Sequence, residues 1–235
     1  PNTCILAGFF SISSGDSLTI NSGIILVNND HIRNFGTITN LGTLTNNFVL
    51  SNNADDAVIT NPGTINNTGA ISNTGTISNT GTITLTNNAQ FDNGYSILSG
   101  GILNNTRTIT INSGLLNNLA NSTITNNFGG ISIANITHTI YQSLLRNLVG
   151  GTITNSGTIT NNDDIENYGI IDNSGDIDNH CGAVYSGNIP TGNPVNNIAC
   201  TPITVISDQS SCESAPILGT WNGVDTCTVV DFVIN

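Results

Sequence analysis

An aliphatic residue returns at every sixth position over long stretches of this 235-residue chain. One run is Ile59, Ile65, Ile71, Ile77 and Ile83. Another is Ile20, Leu26, Ile32, Ile38, Leu44 and Leu50, and a third is Ile153, Ile159, Ile165, Ile171 and Ile177. The unit approaches Gly-Thr-Ile-Thr-Asn-Xaa, as at Gly157-Thr158-Ile159-Thr160-Asn161. Six is even, so the beat stays on one side of a strand, where successive side chains alternate. A helix, with its non-integral turn, would carry the same residues around its axis. Ile and Thr are β-branched and suit a half-buried pleat, while Asn and Gly tolerate the positive φ of a bend. Each hexad therefore predicts one short strand, with Ile inward and two Thr outward, and a corner at Asn-Xaa-Gly. A short fixed period also makes a fold grow in one dimension. The expected fold class is all-β: a β-solenoid (β-helix) of hexad repeats, with two or three sides per coil, and a small disulfide-stabilised β-rich C-terminal module. Coils stacked at about 4.8 Å would set Ile on Ile in the core and Asn on Asn in hydrogen-bonded corner ladders.

The beat divides the chain. Residues 1–16 form an N-terminal lead-in or docking segment, and residues 17–180 the solenoid. Phe91, Ile97, Leu103, Ile109 and Leu115 continue the spacing, and its interruptions at 51–58 and 84–90 predict bulged corners or loops. An irregular insertion is expected at about 116–150, where apolar residues are too dense; Tyr141-Gln142-Ser143-Leu144-Leu145-Arg146 could form a lateral loop or a short helix. Residues 181–235 change character, with Pro190, Pro194, Pro202, Pro216, four cysteines and Trp221, and predict a Cys-rich β cap or docking module plugged by that tryptophan.

Charged residues make up only 8% of the chain and no lysine occurs, the cations being Arg33, Arg107 and Arg146. With a net charge of −12, nucleic acid and anionic lipid are excluded as partners, because phosphate needs a basic face. No run is apolar for long enough to span a membrane as a helix. The absence of Met and the start at Pro1 suggest an exported product with its signal peptide removed. Cys4, Cys181, Cys200, Cys212 and Cys227 are then disulfide candidates, with Cys4 the odd thiol, free or joined between molecules. Export would make Asn66, Asn104, Asn121 and Asn135 glycosylation candidates, each within Asn-Xaa-Ser/Thr.

Chemistry is sparse. Glu166, Asp172 and Asp178 sit six apart, each just after an inward Ile, and Asp163, Asp164 and Asp176 lie close by. On a two-sided coil Glu166 and Asp178 would stack, and carboxylates with Asn carbonyls suit Ca2+. On a three-sided coil they would not, and the plainer expectation is a solvated acidic face needing no cofactor. No catalytic residue is nominated: Asp55-Asp56 and Asp163-Asp164 point to opposite faces of a strand, and His31, His138 and His180 are scattered. His180 beside Cys181 suggests a half-cystine more than a nucleophile pair.

The Asn-Xaa-Gly-Thr-Ile repeats at 34–45, 61–83 and 151–177 resemble those of filamentous-haemagglutinin-like and autotransporter-type adhesins and related surface repeat proteins of bacteria and archaea. The resemblance implies an extracellular β-solenoid for attachment or surface structure, and no functional residue carries over. Cys227-Thr-Val-Val-Asp-Phe232-Val-Ile234 also resembles Cys4-Ile-Leu-Ala-Gly-Phe9-Phe10-Ser-Ile12. The likeness predicts a chain ready to begin a solenoid again at its carboxyl end. The expectation is a structural subunit, not an enzyme, whose main partner is itself, joined head to tail by strand-edge stacking into a surface filament. Alternatives are a monomeric adhesin with a surface or carbohydrate ligand, or an ice-binding protein. The last would use Thr37/Thr39, Thr43/Thr45, Thr82/Thr84, Thr152/Thr154 and Thr158/Thr160 as outward pairs, although Arg33 and the Asp substitutions argue against a clean face.

Overall fold

The computed structural model describes residues 2–94, 100–134 and 142–200. These residues form 28 strands, numbered here in chain order, and no helix. The strands are dealt in rotation to three parallel sheets of ten, nine and nine. The first coil shows the rule: β1 (Asn2–Leu6) opens face 1, β2 (Phe10–Ile12) opens face 2 and β3 (Ser17–Ile20) opens face 3. The coil then returns to face 1 with β4 (Ile24–Asn28). The result is a parallel β-solenoid of about nine turns. Three hexads close one coil, as where Ile65 pairs with Ile83.

The chain divides into two compact units, residues 1–198 and 199–235. The solenoid occupies the first. It begins at Asn2 rather than at residue 17, and it runs past residue 180 through β26 (Val184–Gly187), β27 (Thr191–Gly192) and β28 (Asn196–Asn197). Of the second unit, Ala199 and Cys200 fall among the described residues. The readings placed on Ile97, Asn135, His138, Tyr141, Pro202, Cys212, Pro216, Trp221 and Cys227 lie outside them.

Each regular strand alternates half-buried and buried residues, and the buried pair is an aliphatic followed by Asn, as in β6 (Thr37–Asn40). The aliphatics stack into one column per face, for example Ile38, Ile59, Ile77, Leu103, Ile124, Ile153 and Ile171 on face 3, all at most 1% exposed. Full burial of such side chains contributes roughly 1.5–3 kcal/mol each, and this is the main term holding the coils together.

Beside each column runs a ladder of buried asparagines. On face 2, Asn34 Nδ2 donates to Asn52 Oδ1 at 2.7 Å, Asn52 to Asn73 at 2.8 Å, Asn73 to Asn93 at 2.8 Å and Asn93 to Asn118 at 3.0 Å. The second amide hydrogen usually reaches a corner carbonyl, as from Asn73 to the Ile102 oxygen at 3.0 Å. A buried amide costs free energy unless it is bonded, and the stacked neighbour supplies that bond.

Two departures follow from inserted corner residues. On face 1 the ladder is replaced by Leu85, Ile111 and Ile133, each fully buried. There the corner is built differently, with Asn87, Asn88 and Ser113 at positive φ. The same insertion shifts the beat by one. Leu116, not Leu115, pairs with Phe91 and enters the core, and Leu115 pairs outward with Gln90. The expected insertion at about 116–150 also contains regular rungs: β18 (Thr123–Asn126), β19 (Gly130–Ile133) and β20 (Leu144–Asn147) all stay in register. Leu144-Leu145-Arg146 is therefore strand, because Leu145 completes the core column above Leu116.

Candidate functional site

The outward residues are sorted by face. Face 2 carries most of the charge found on strands: His31, Arg33, Asp92, Arg146, Asp164 and Glu166 all lie there. Arg146 Nε donates to Glu166 Oε2 at 2.6 Å, the two being register partners. Both side chains are about a third exposed, so the pair contributes at most about 1 kcal/mol. Asp92 accepts from Gln90 at 2.6 Å and from Asn117 at 2.8 Å. Asp163 Oδ2 accepts from the Ser143 backbone N–H at 2.7 Å, and Ser143 Oγ accepts from the Ser113 N–H at 2.9 Å. Several of the acids are thus built into corners and cross-strand pairs.

The cation candidates do not converge. Glu166 lies on face 2, Asp172 on face 3 and Asp178 on face 1, stacked with Arg146, Thr154 and Thr160 respectively. Three sides per coil is the reason. Among the described residues no three His, Cys, Asp or Glu side chains are grouped to hold a metal. The Asp164 carboxyl is pushed above its ordinary range by burial and then by Asp163 and Glu166.

At the first coil Phe9, 59% exposed, meets the His31 ring edge-on at 5.7 Å, with the Arg33 guanidinium 5.6 Å from its centroid. Partial burial and Arg33 together lower the His31 pKa, against a smaller opposing pull from Asp30. His31 Nε2 lies 3.0 Å from Ser51 Oγ. Cys4 is a free, exposed thiol at the inward position of the first coil, stacked on Leu26. Cys181 and Cys200 are each disulfide-bonded, which bears out the half-cystine reading of Cys181. Asn66 and Asn104 point outward on their strands, and Asn121 occupies a corner at positive φ.

Face 1 is different. One outward column runs Thr43, Thr64, Thr82, Thr108, Gly130, Thr158 in hydrogen-bonded register. The adjoining column runs Thr45, Asn66, Thr84, Thr110, Ser132, Thr160. None of these residues is charged. Arg33, expected to spoil such a surface, lies on face 2, and the face 1 acids Asp176 and Asp178 come only on the next rung. The Thr37/Thr39 and Thr152/Thr154 pairs belong to face 3. Sequence spacing hid this sorting because coil lengths vary: Thr64 pairs with Thr82, but Thr82 with Thr108.

These features define the class: a three-sided parallel β-solenoid repeat protein with its outward residues sorted by face. A family model described as the haemagglutinin repeat matches residues 6–48 and 49–209. The chain belongs to that family, and is an adhesin-like surface repeat protein. Proteins of the family are extracellular or on the cell surface and are typically non-enzymatic. No curated protein and no solved structure matches the chain. Among the described residues no helix is long and apolar enough to cross a membrane.

Proposed function

We propose that the chain is an extracellular structural rod that joins further copies head to tail by stacking strand edges. The observation that carries this reading is the make-up of the first coil. At the three ladder positions it has Leu6, Ile12 and Ile20 instead of Asn, stacked on Asn28, Asn34 and Asn40. Cys4, Phe10 and Leu18 occupy its inward positions, so its floor is apolar. Burying apolar surface under a further coil is favourable, and a strand edge accepts another strand through main-chain hydrogen bonds. Such a contact is heterologous and need not close, so it makes filaments. A monomeric adhesin is the second reading, and family membership favours it.

Negative-stain electron microscopy of the purified chain tests the proposal: fibres with a regular axial repeat support it, and discrete single rods at all concentrations refute it. Ile5→Pro sharpens the test. The Leu6 carbonyl faces β4, accepting from Asn29, so by alternation Ile5 points its backbone groups the other way. The proline removes an N–H from the edge without touching the β1–β4 ladder, and fibres should be lost while the coil signature in far-UV circular dichroism is kept.

A further inference from the structure

We propose that face 1 is an ice-adsorbing surface, an activity independent of how the chain assembles. The argument begins with order. Twelve outward positions on six successive strands form two columns in continuous register, and nine of them are Thr. Repeats are about 4.8 Å between strands and about 6.7 Å between the two columns of one strand. The oxygen lattice of hexagonal ice repeats at closely similar distances in two directions. Beneath the columns, the stacked Ile core and the parallel ladder hold the strands in register over the whole patch, so the lattice is set before any partner arrives.

The chemistry of the columns selects the partner. Each Thr presents a hydroxyl that can enter a water network and a methyl that cannot, so the face orders water without binding it as an ion does. A charged polymer finds no charge to pair with on either column before Asp176 and Asp178 on the next rung, and the exposed Arg107 stands at the corner before Thr108 rather than on the face. Neither column contains an aromatic ring on which a sugar could stack. What remains complementary is a flat, uncharged, doubly periodic solid. Gly130, Asn66 and Ser132 are the three positions of the patch that are not Thr, Ser132 keeping the hydroxyl without the methyl, and a glycan on Asn66 would obstruct it.

The test is thermal hysteresis of the full chain by nanolitre osmometry, with adsorption of dye-labelled protein to a growing ice crystal. The native chain should open a gap between melting and freezing and should coat defined crystal planes. Thr84→Arg with Thr110→Arg, adjacent in register, should abolish both. Ala70→Arg with Gln90→Arg, the register pair at outward positions of face 2, should leave both intact, and circular dichroism should show all three proteins folded. Absence of hysteresis and adsorption in the folded native chain overturns the proposal. So does a face 1 variant that behaves as native, or a Thr84→Arg/Thr110→Arg variant whose only effect is to abolish self-association or retention on crystalline polysaccharide.

Discussion

Removing one rung of an amide ladder should weaken the coil far more than removing an Asn from its outside. Asn79 is the clearest case. Its Oδ1 accepts from Asn61 at 2.7 Å, and its Nδ2 donates to Asn105 at 2.8 Å and to the Thr108 and Gly81 carbonyls at 3.0 and 3.2 Å. Asn79→Ala leaves partners short of a bond in a site with no access for water, at about 1–3 kcal/mol per buried group. The lower end applies to the two amides, because Asn61 keeps the Thr82 oxygen at 3.0 Å and Asn105 keeps the Arg107 N–H at 3.4 Å. With about 1 kcal/mol for each amide, a similar amount for the Thr108 carbonyl and a small cavity term, the loss is about 3–4 kcal/mol. That is a large part of an ordinary folding free energy of about 5–15 kcal/mol. Equilibrium urea unfolding followed by far-UV circular dichroism measures it, with Asn66→Ala on the outer face as control, expected within about 0.5 kcal/mol. The double change Asn79→Leu with Asn105→Leu should cost less than the sum of its parts, because one shared bond is lost once. The chain already makes such a block replacement at Leu85, Ile111 and Ile133. A loss below about 1 kcal/mol for Asn79→Ala, equal to that of Asn66→Ala, would refute the view that these amides hold the corners.

Two further outcomes follow, one from a corner glycine and one from His31. A Cβ on Gly81 would run into the Gly63 carbonyl oxygen, and backbone cannot give way cheaply, so Gly81→Ala should cost about 2 kcal/mol or more in the same urea experiment. The His31 pKa is lowered in the fold, so its contribution is present above the ordinary value of 6.5 and is lost as pH falls below it; thermal melts of the native chain and His31→Gln should differ in their pH slope only on that acid side.

The fold was largely legible because one hexad encodes a strand, its inward residue and its bend at once. The number of sides was not, since six residues per side fits two sides as well as three. The placement of Glu166, Asp172 and Asp178 depends on that number, and with three sides they part onto different faces. Leu115 was misassigned for a related reason. Ser113 takes up one residue at a positive φ of 64°, and counting by six cannot see an inserted residue. Leu144–Asn147 looked irregular because its apolar density exceeds the hexad, yet Leu145 alone supplies the inward side chain, and Leu144 is buried at an outward position of the strand between Leu115 and Asp164. The clean Thr columns escaped notice because unequal corner lengths put register partners at unequal distances along the chain.

Every described amide-to-amide step in the face 2 and face 3 ladders hands its hydrogen toward the higher-numbered coil, from Asn34 to Asn52 as from Asn40 to Asn61. The coil stack is therefore a one-way street for dipoles, and its two directions are chemically unequal. Asn40 Oδ1, lying against Ile20 and left without a donor, marks where one such street starts. Any copy stacked in line would have to face the same way to keep the polarity running, so a string of these molecules would carry an arrow from one tip to the other.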